Sequence, residues 1–150
     1  MHATGRLPAT STPGVVALAT WSAYVLLAAF FYAPDYPPSV LTIGFCGLLA
    51  GLAVVLNFAY WRLVVVMASI VYLLFYAVRV LRMVALTSGF ELSALPSALT
   101  FYYSSSWRVT IGLLQEQGVA GSLAHGYIEY AMPILSVALI VLVWMTWRRR

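Results

Sequence analysis

Five side chains carry most of the chemistry this sequence has to offer: Cys46, Arg79, Arg82, His125 and Glu129. They stand in a chain of 150 residues of which only 8% are charged. Arg79 and Arg82 interrupt the apolar stretch FYAVRVLRM, and three residues of spacing puts them on one helical face. His125 and Glu129 are four apart and share a face in the same way. A thiol such as Cys46 becomes a nucleophile when a base or a positive charge beside it lowers its pKa. A guanidinium fork binds a carboxylate or another planar anion at two points. Three roles are therefore open to Arg79 and Arg82: snorkelling towards lipid headgroups, pairing with Glu129, or holding an anionic ligand.

Other chemistries are missing. One cysteine excludes an internal disulfide and a CxxC motif. The two histidines, His2 and His125, are too few and too far apart for a haem pair on facing helices. No metal site and no cofactor are expected. No P-loop, dinucleotide-binding fingerprint, HExxH or serine elbow occurs.

The elements that must position these residues are set by composition. The chain is 63% hydrophobic, far from the roughly one-quarter charged content of a soluble domain. Most of it must be solvated by lipid. The predicted fold is all-α and integral to the membrane, with four transmembrane helices in an antiparallel bundle forming a single domain over 15–147. The predicted spans are about 15–32, 40–60, 63–86 and 127–147. The first run measures roughly 27 Å as a helix. Prolines follow it where a signal-cleavage site would need small residues, so it reads as a retained span. The segment APDYPPS, 33–39, carries three prolines and predicts a turn. A second turn is expected near Tyr60-Trp61-Arg62, where aromatics flank an arginine. Residues 1–14 read as a flexible cytoplasmic terminus and 148–150 as a basic tail.

The segment between the third and fourth spans is too polar to cross and too aromatic for a plain linker. Leu99, Tyr103, Trp107, Ile111 and Leu114 recur at helical spacing over about 97–117, with Arg108 and Gln115 opposite. That pattern suggests an amphipathic helix in the interface, the alternative being a loop over the bundle end. In the second span GLLAG gives Gly47 and Gly51 the GxxxG spacing. Such small residues let helices approach closely, within the chain or in a homo-oligomer.

All eight basic residues are arginine, and the net charge of +4 comes mainly from Arg148-Arg149-Arg150. The tail suits an anionic membrane surface rather than nucleic acid. The arginine distribution favours both termini on the cytoplasmic side of the cytoplasmic (inner) membrane. That topology gathers Arg79, Arg82, His125 and Glu129 at the outer rim as a binding site, with Cys46 about two turns inside the same face.

The order of Cys46, in FCGL, then Arg79, in YAVR at the end of a span, then His125 before a final span is similar to that of exosortases and archaeosortases. The likeness covers roughly 45–147. Members of that family are membrane cysteine transpeptidases that process sorting signals at the outer face. The resemblance implies Cys46, Arg79 and His125 as a catalytic set. A small transporter or channel subunit with Glu129 as a responsive carboxylate is a further alternative. The reading the composition favours assigns no catalytic residue. It is a structural or accessory subunit of a larger membrane assembly, whose partners are the lipid bilayer and other membrane subunits or further copies of itself.

Overall fold

The structure, a computed structural model, describes residues 11–31, 38–88 and 91–148. The helices are α1 (Thr12–Phe31), α2 (Pro38–Val55), α3 (Trp61–Ser88), α4 (Leu95–Glu116), α5 (Gly118–Gly126) and α6 (Met132–Arg148). A short 3₁₀ turn, Leu92–Ala94, leads into α4, and a π-helical turn, Tyr127–Ala131, joins α5 to α6. No strand occurs among the described residues. Residues 1–10, most of the proline turn (32–37), and Arg149-Arg150 lie outside them.

Three stretches are long and apolar enough to cross a membrane: Thr12–Ala29, Trp61–Thr87 and Gly118–Arg148. The apolar part of α2, Thr42–Val55, is shorter. α1 packs on α2, α2 on α3, α3 on α6, and α4 on α5 and α3. The core runs through Trp21 and Tyr24 of α1, Val54 of α2, Val65 and Tyr72 of α3, and Met132 and Leu139 of α6. Its aromatic members meet edge to face, Trp21 with Tyr24 at 5.9 Å and Tyr24 with Tyr72 at 5.8 Å.

The second helix ends five residues before the predicted limit at residue 60. The cause is Asn57, which adopts a left-handed conformation with φ 48°. Its N–H donates to the Val54 carbonyl and that of Phe58 to the Ala53 carbonyl. This paired closure is the Schellman cap, which tolerates asparagine where glycine is usual. The turn therefore precedes Trp61, which is buried as the first residue of α3. The last rod also begins earlier than predicted, at Gly118 rather than residue 127. His125 and Glu129 thus sit inside it and not at its entrance.

Gly47 and Gly51 face α1 of the same chain. A Cβ on Gly47 would stand 2.7 Å from the Trp21 ring, and one on Gly51 would meet Leu18 at 3.9 Å. Of the two uses the GxxxG spacing allows, the close approach within the chain is the one seen here at these two glycines. Their small faces are used to seat the Trp21 indole against α2.

The interval predicted as an interfacial segment, 97–117, is helical as α4, but its faces are ordered in an unexpected way. Tyr103, Trp107, Ile111 and Leu114 are exposed, whereas Ala98, Tyr102 and Thr110 are buried. The face that carries Tyr102 and Thr110 turns inward, while Tyr103, Trp107, Ile111 and Leu114 share the outer surface with Arg108 and Gln115.

Gly47→Ala is expected to lower stability by about 1–3 kcal/mol, because Trp21 must leave a well-packed position. Gly44→Ala, where a Cβ would meet nothing within 4 Å, is expected to be neutral. Thermal denaturation of both variants in one detergent checks the pair.

Candidate functional site

The site is built where α3, α4 and the α5–α6 rod meet, and its first requirement is the π turn. Within that turn the Met132 N–H reaches back five residues to the Tyr127 carbonyl. The next donor in the series would be residue 133, which is proline and has no N–H. The carbonyl it leaves open, that of Ile128, accepts instead from the Tyr72 hydroxyl of α3 at 2.5 Å. A proline in a membrane helix is tolerated when a neighbour satisfies the freed carbonyl, and here the neighbour is identified. A second phenol fixes the same turn from α1's side: Tyr127 donates to the Thr20 carbonyl at 2.8 Å.

The turn directs Glu129 inward, where it is only 5% exposed. Its carboxylate meets the Arg79 guanidinium at two points, Nη1 to Oε1 at 2.7 Å and Nη2 to Oε2 at 2.9 Å. Tyr102 of α4 adds a third donor, its hydroxyl 3.1 Å from Oε2. Burial pushes the Tyr102 phenol up to about 12, with the Arg79 charge opposing and the Glu129 charge adding to the rise. The phenol therefore keeps its proton and donates. Arg79 also lies over the Tyr76 ring at 5.3 Å. Of the two partners foreseen for Glu129, the structure selects Arg79. Arg82 is exposed, and no ion pair to it occurs among the described residues.

These groups line a cavity of about 270 Å³. Its polar wall includes Arg79, Tyr102, Ser106, His125 and Glu129. Its apolar side carries Met83, Phe101 and Val109, each well exposed. His125 is 7% exposed, and its Nδ1 lies 2.9 Å from the Thr110 hydroxyl oxygen. Thr110 is in turn 3.1 Å from the Ser106 carbonyl. Arg82 lines a separate cavity of about 260 Å³ with Tyr24, Ile43, Tyr72 and Tyr76. Arg79 borders both.

Of the five residues singled out by their chemistry, three converge: Arg79, His125 and Glu129. Cys46 is half-buried, packs against the apolar core and does not line the cavity. Sequence reasoning missed Tyr102, Ser106 and Thr110. Their signal was present as a polar stripe at four-residue spacing, but the aromatic stripe beside it drew the assignment of faces. No group of three or more His, Cys, Asp or Glu able to hold a metal occurs among the described residues. The carboxylate and the guanidinium neutralise each other.

No protein-family model matches this chain, and no curated protein or solved structure is significantly similar to it. Its functional reading rests on the geometry of the site.

Two measurements examine that geometry. Tyr72→Phe is expected to cost about 1–2 kcal/mol, the penalty of an unpaired buried carbonyl. The same change in a Pro133→Ala background should cost less, since alanine restores the missing N–H. Arg79→Gln should destabilise by about 3 kcal/mol because it strands a buried carboxylate, while the Arg79→Gln/Glu129→Gln double variant should recover part of the loss. Unfolding in detergent reads both; strict additivity of the single variants would show that the pair is not coupled.

Proposed function

We propose that this chain is a multi-pass subunit of the cytoplasmic membrane and acts as a structural or accessory component of a larger membrane assembly. In this reading α1, α2, α3 and the α5–α6 rod make four crossings of an antiparallel bundle. Both termini are cytoplasmic, and the Arg79–Glu129–His125 cavity opens at the outer rim, beside α4 in the interface. The observation that carries the reading is the cavity itself. Its two ionised groups neutralise one another between α3 and the α5–α6 rod, Tyr102 of α4 adds a neutral donor, and the one cysteine of the chain stands apart. Such a wall suits holding a partner group better than attacking one. The apolar faces support the membrane placement: Phe45, Leu48, Leu52 and Val55 of α2 are exposed together, as a lipid- or protein-facing surface requires.

A second reading, the membrane cysteine transpeptidase, is favoured by one observation: Arg79 and His125 do border the same cavity. It requires Cys46 to reach that cavity by a rearrangement of α2.

One experiment separates the two. The tagged full chain is purified in mild detergent from the membranes of its own cells. The accessory reading expects a membrane protein in fixed stoichiometry with it, retained by Cys46→Ala and lost with Glu129→Gln. A lone chain that loses a proteolytic or transpeptidation activity with Cys46→Ala would overturn the accessory reading. Single cysteines at Thr10, Tyr36 and Arg150 in the Cys46→Ala background test the orientation. Only the Tyr36 position should be labelled in intact cells by an impermeant thiol reagent.

A further inference from the structure

α3 carries a second arginine, Arg82, that the Glu129 cluster does not use. It is exposed, and no ion pair to it occurs among the described residues. It borders the second cavity, of about 260 Å³, which His125 and Glu129 do not line. Four segments enclose that cavity: α1 with Tyr24, α2 with Ile43, the π turn with Ile128, and α3 from Tyr72 to Arg82.

The cavity is polar at one end and apolar along its length. On α3 the interval from residue 72 to residue 82 covers about 15 Å at the rise of an α-helix. Both arginines stand towards the C-terminal end of that interval, and Tyr72 and Phe75 towards the other. Tyr24, Ile43, Tyr72 and Ile128 are buried, while Phe75 and Val78 are exposed. The Tyr72 hydroxyl is already given to the Ile128 carbonyl.

The charge of the cavity follows from its lining. No carboxylate borders it among the described residues. Arg79 is neutralised by Glu129, which lines the first cavity and not this one. One positive charge remains, that of Arg82. A singly charged oxyanion balances it, and a guanidinium fork matches such a group in shape. An ammonium would be repelled.

The depth of the cavity narrows the ligand further. From Trp61, the first residue of α3, to Arg82 the helix rises roughly 32 Å. That is close to the ~30 Å thickness of a hydrocarbon core. With α3 across a membrane and Trp61 at one surface, Arg82 stands at headgroup level on the other. The cavity then descends from it among the acyl chains. We infer that this cavity holds one anionic phospholipid, its phosphodiester on Arg82 and the upper part of an acyl chain against Ile43, Phe75 and Val78. The inference goes beyond the accessory reading and stands without it.

The test titrates the purified full chain, in maltoside micelles, with dioleoyl phosphatidylglycerol. Native mass spectrometry counts the lipid bound to each chain. One phosphatidylglycerol is expected to bind saturably, roughly tenfold more tightly than dioleoyl phosphatidylcholine, which has the same chains and no net charge. Arg82→Gln should abolish that preference. Arg108→Gln removes the same charge from an exposed arginine of α4 that does not line the cavity, and should keep it. Inorganic phosphate and glycerophosphoglycerol, which lack chains, should not displace the lipid, and oleate should displace it only weakly. Equal affinity for the two phospholipids, or a preference that survives Arg82→Gln, overturns the site. Displacement by inorganic phosphate would make it a site for free phosphate, and displacement by equimolar oleate a site for carboxylates; either overturns the phospholipid assignment. Should Arg82→Gln fail to fold, the lipid comparison and the displacement series in the unsubstituted chain still decide.

Discussion

A carboxylate inside an apolar helical bundle must be neutralised where it stands, and Glu129 organises this protein around that need. An unpaired charge there would cost several kcal/mol. The guanidinium of Arg79 meets it with both terminal nitrogens and Tyr102 adds a hydroxyl. Those three residues come from three separate segments, so the requirement to neutralise one side chain fixes how α3, α4 and the α5–α6 rod sit together. It also answers why an apolar helix carries an arginine in mid-face. Arg79 is the counter-charge that makes Glu129 tolerable, and Glu129 in turn lets Arg79 remain close to the bundle. Arg82, one turn on, has no ion-pair partner among the described residues.

The backbone serves the same end. A regular α-helix through Tyr127–Ala131 would place Glu129 and His125 differently, because a π turn adds a residue to one revolution. Pro133 favours the irregularity by withholding an N–H, and Tyr72 makes it affordable by supplying a hydroxyl to the open carbonyl. Tyr72 also stacks on Tyr76 and meets Tyr24 edge to face. The aromatic core and the polar site are thereby joined through a single side chain. The other end of the core is set by a glycine: Gly47 admits the Trp21 ring so closely that no Cβ could stand between them.

The physical class of the protein was legible in its sequence. Low charge and long apolar runs predict an all-α membrane protein with four spans; the described residues are all-helical and hold three stretches of membrane-crossing length, the second predicted span being the shorter one. The pairing of Glu129 with one of the two arginines was also legible, since a chain with so few charges has few ways to balance a buried one. Element limits were readable only where punctuation was strong. The end of α2 depended on Asn57, whose left-handed conformation is a weak signal in sequence because asparagine occurs in many other settings.

Tertiary structure alone decided the rest. Sequence spacing shows that α4 has an aromatic stripe and a polar stripe, but not which of them faces the bundle. The face with Tyr102 and Thr110 turns inward because Glu129 takes Tyr102 and His125 takes Thr110, and Glu129 and His125 both lie on another segment of the chain. For the same reason the order Cys46, Arg79, His125 along the chain does not determine a shared site. Chain order fixes the sequence of helices, whereas the cavity is made by their rotations about their own axes. Those rotations bring Arg79 and His125 to one wall and leave Cys46 against the core. A helix rotation is set by the sum of its contacts with every neighbour, and no local pattern of residues contains that sum.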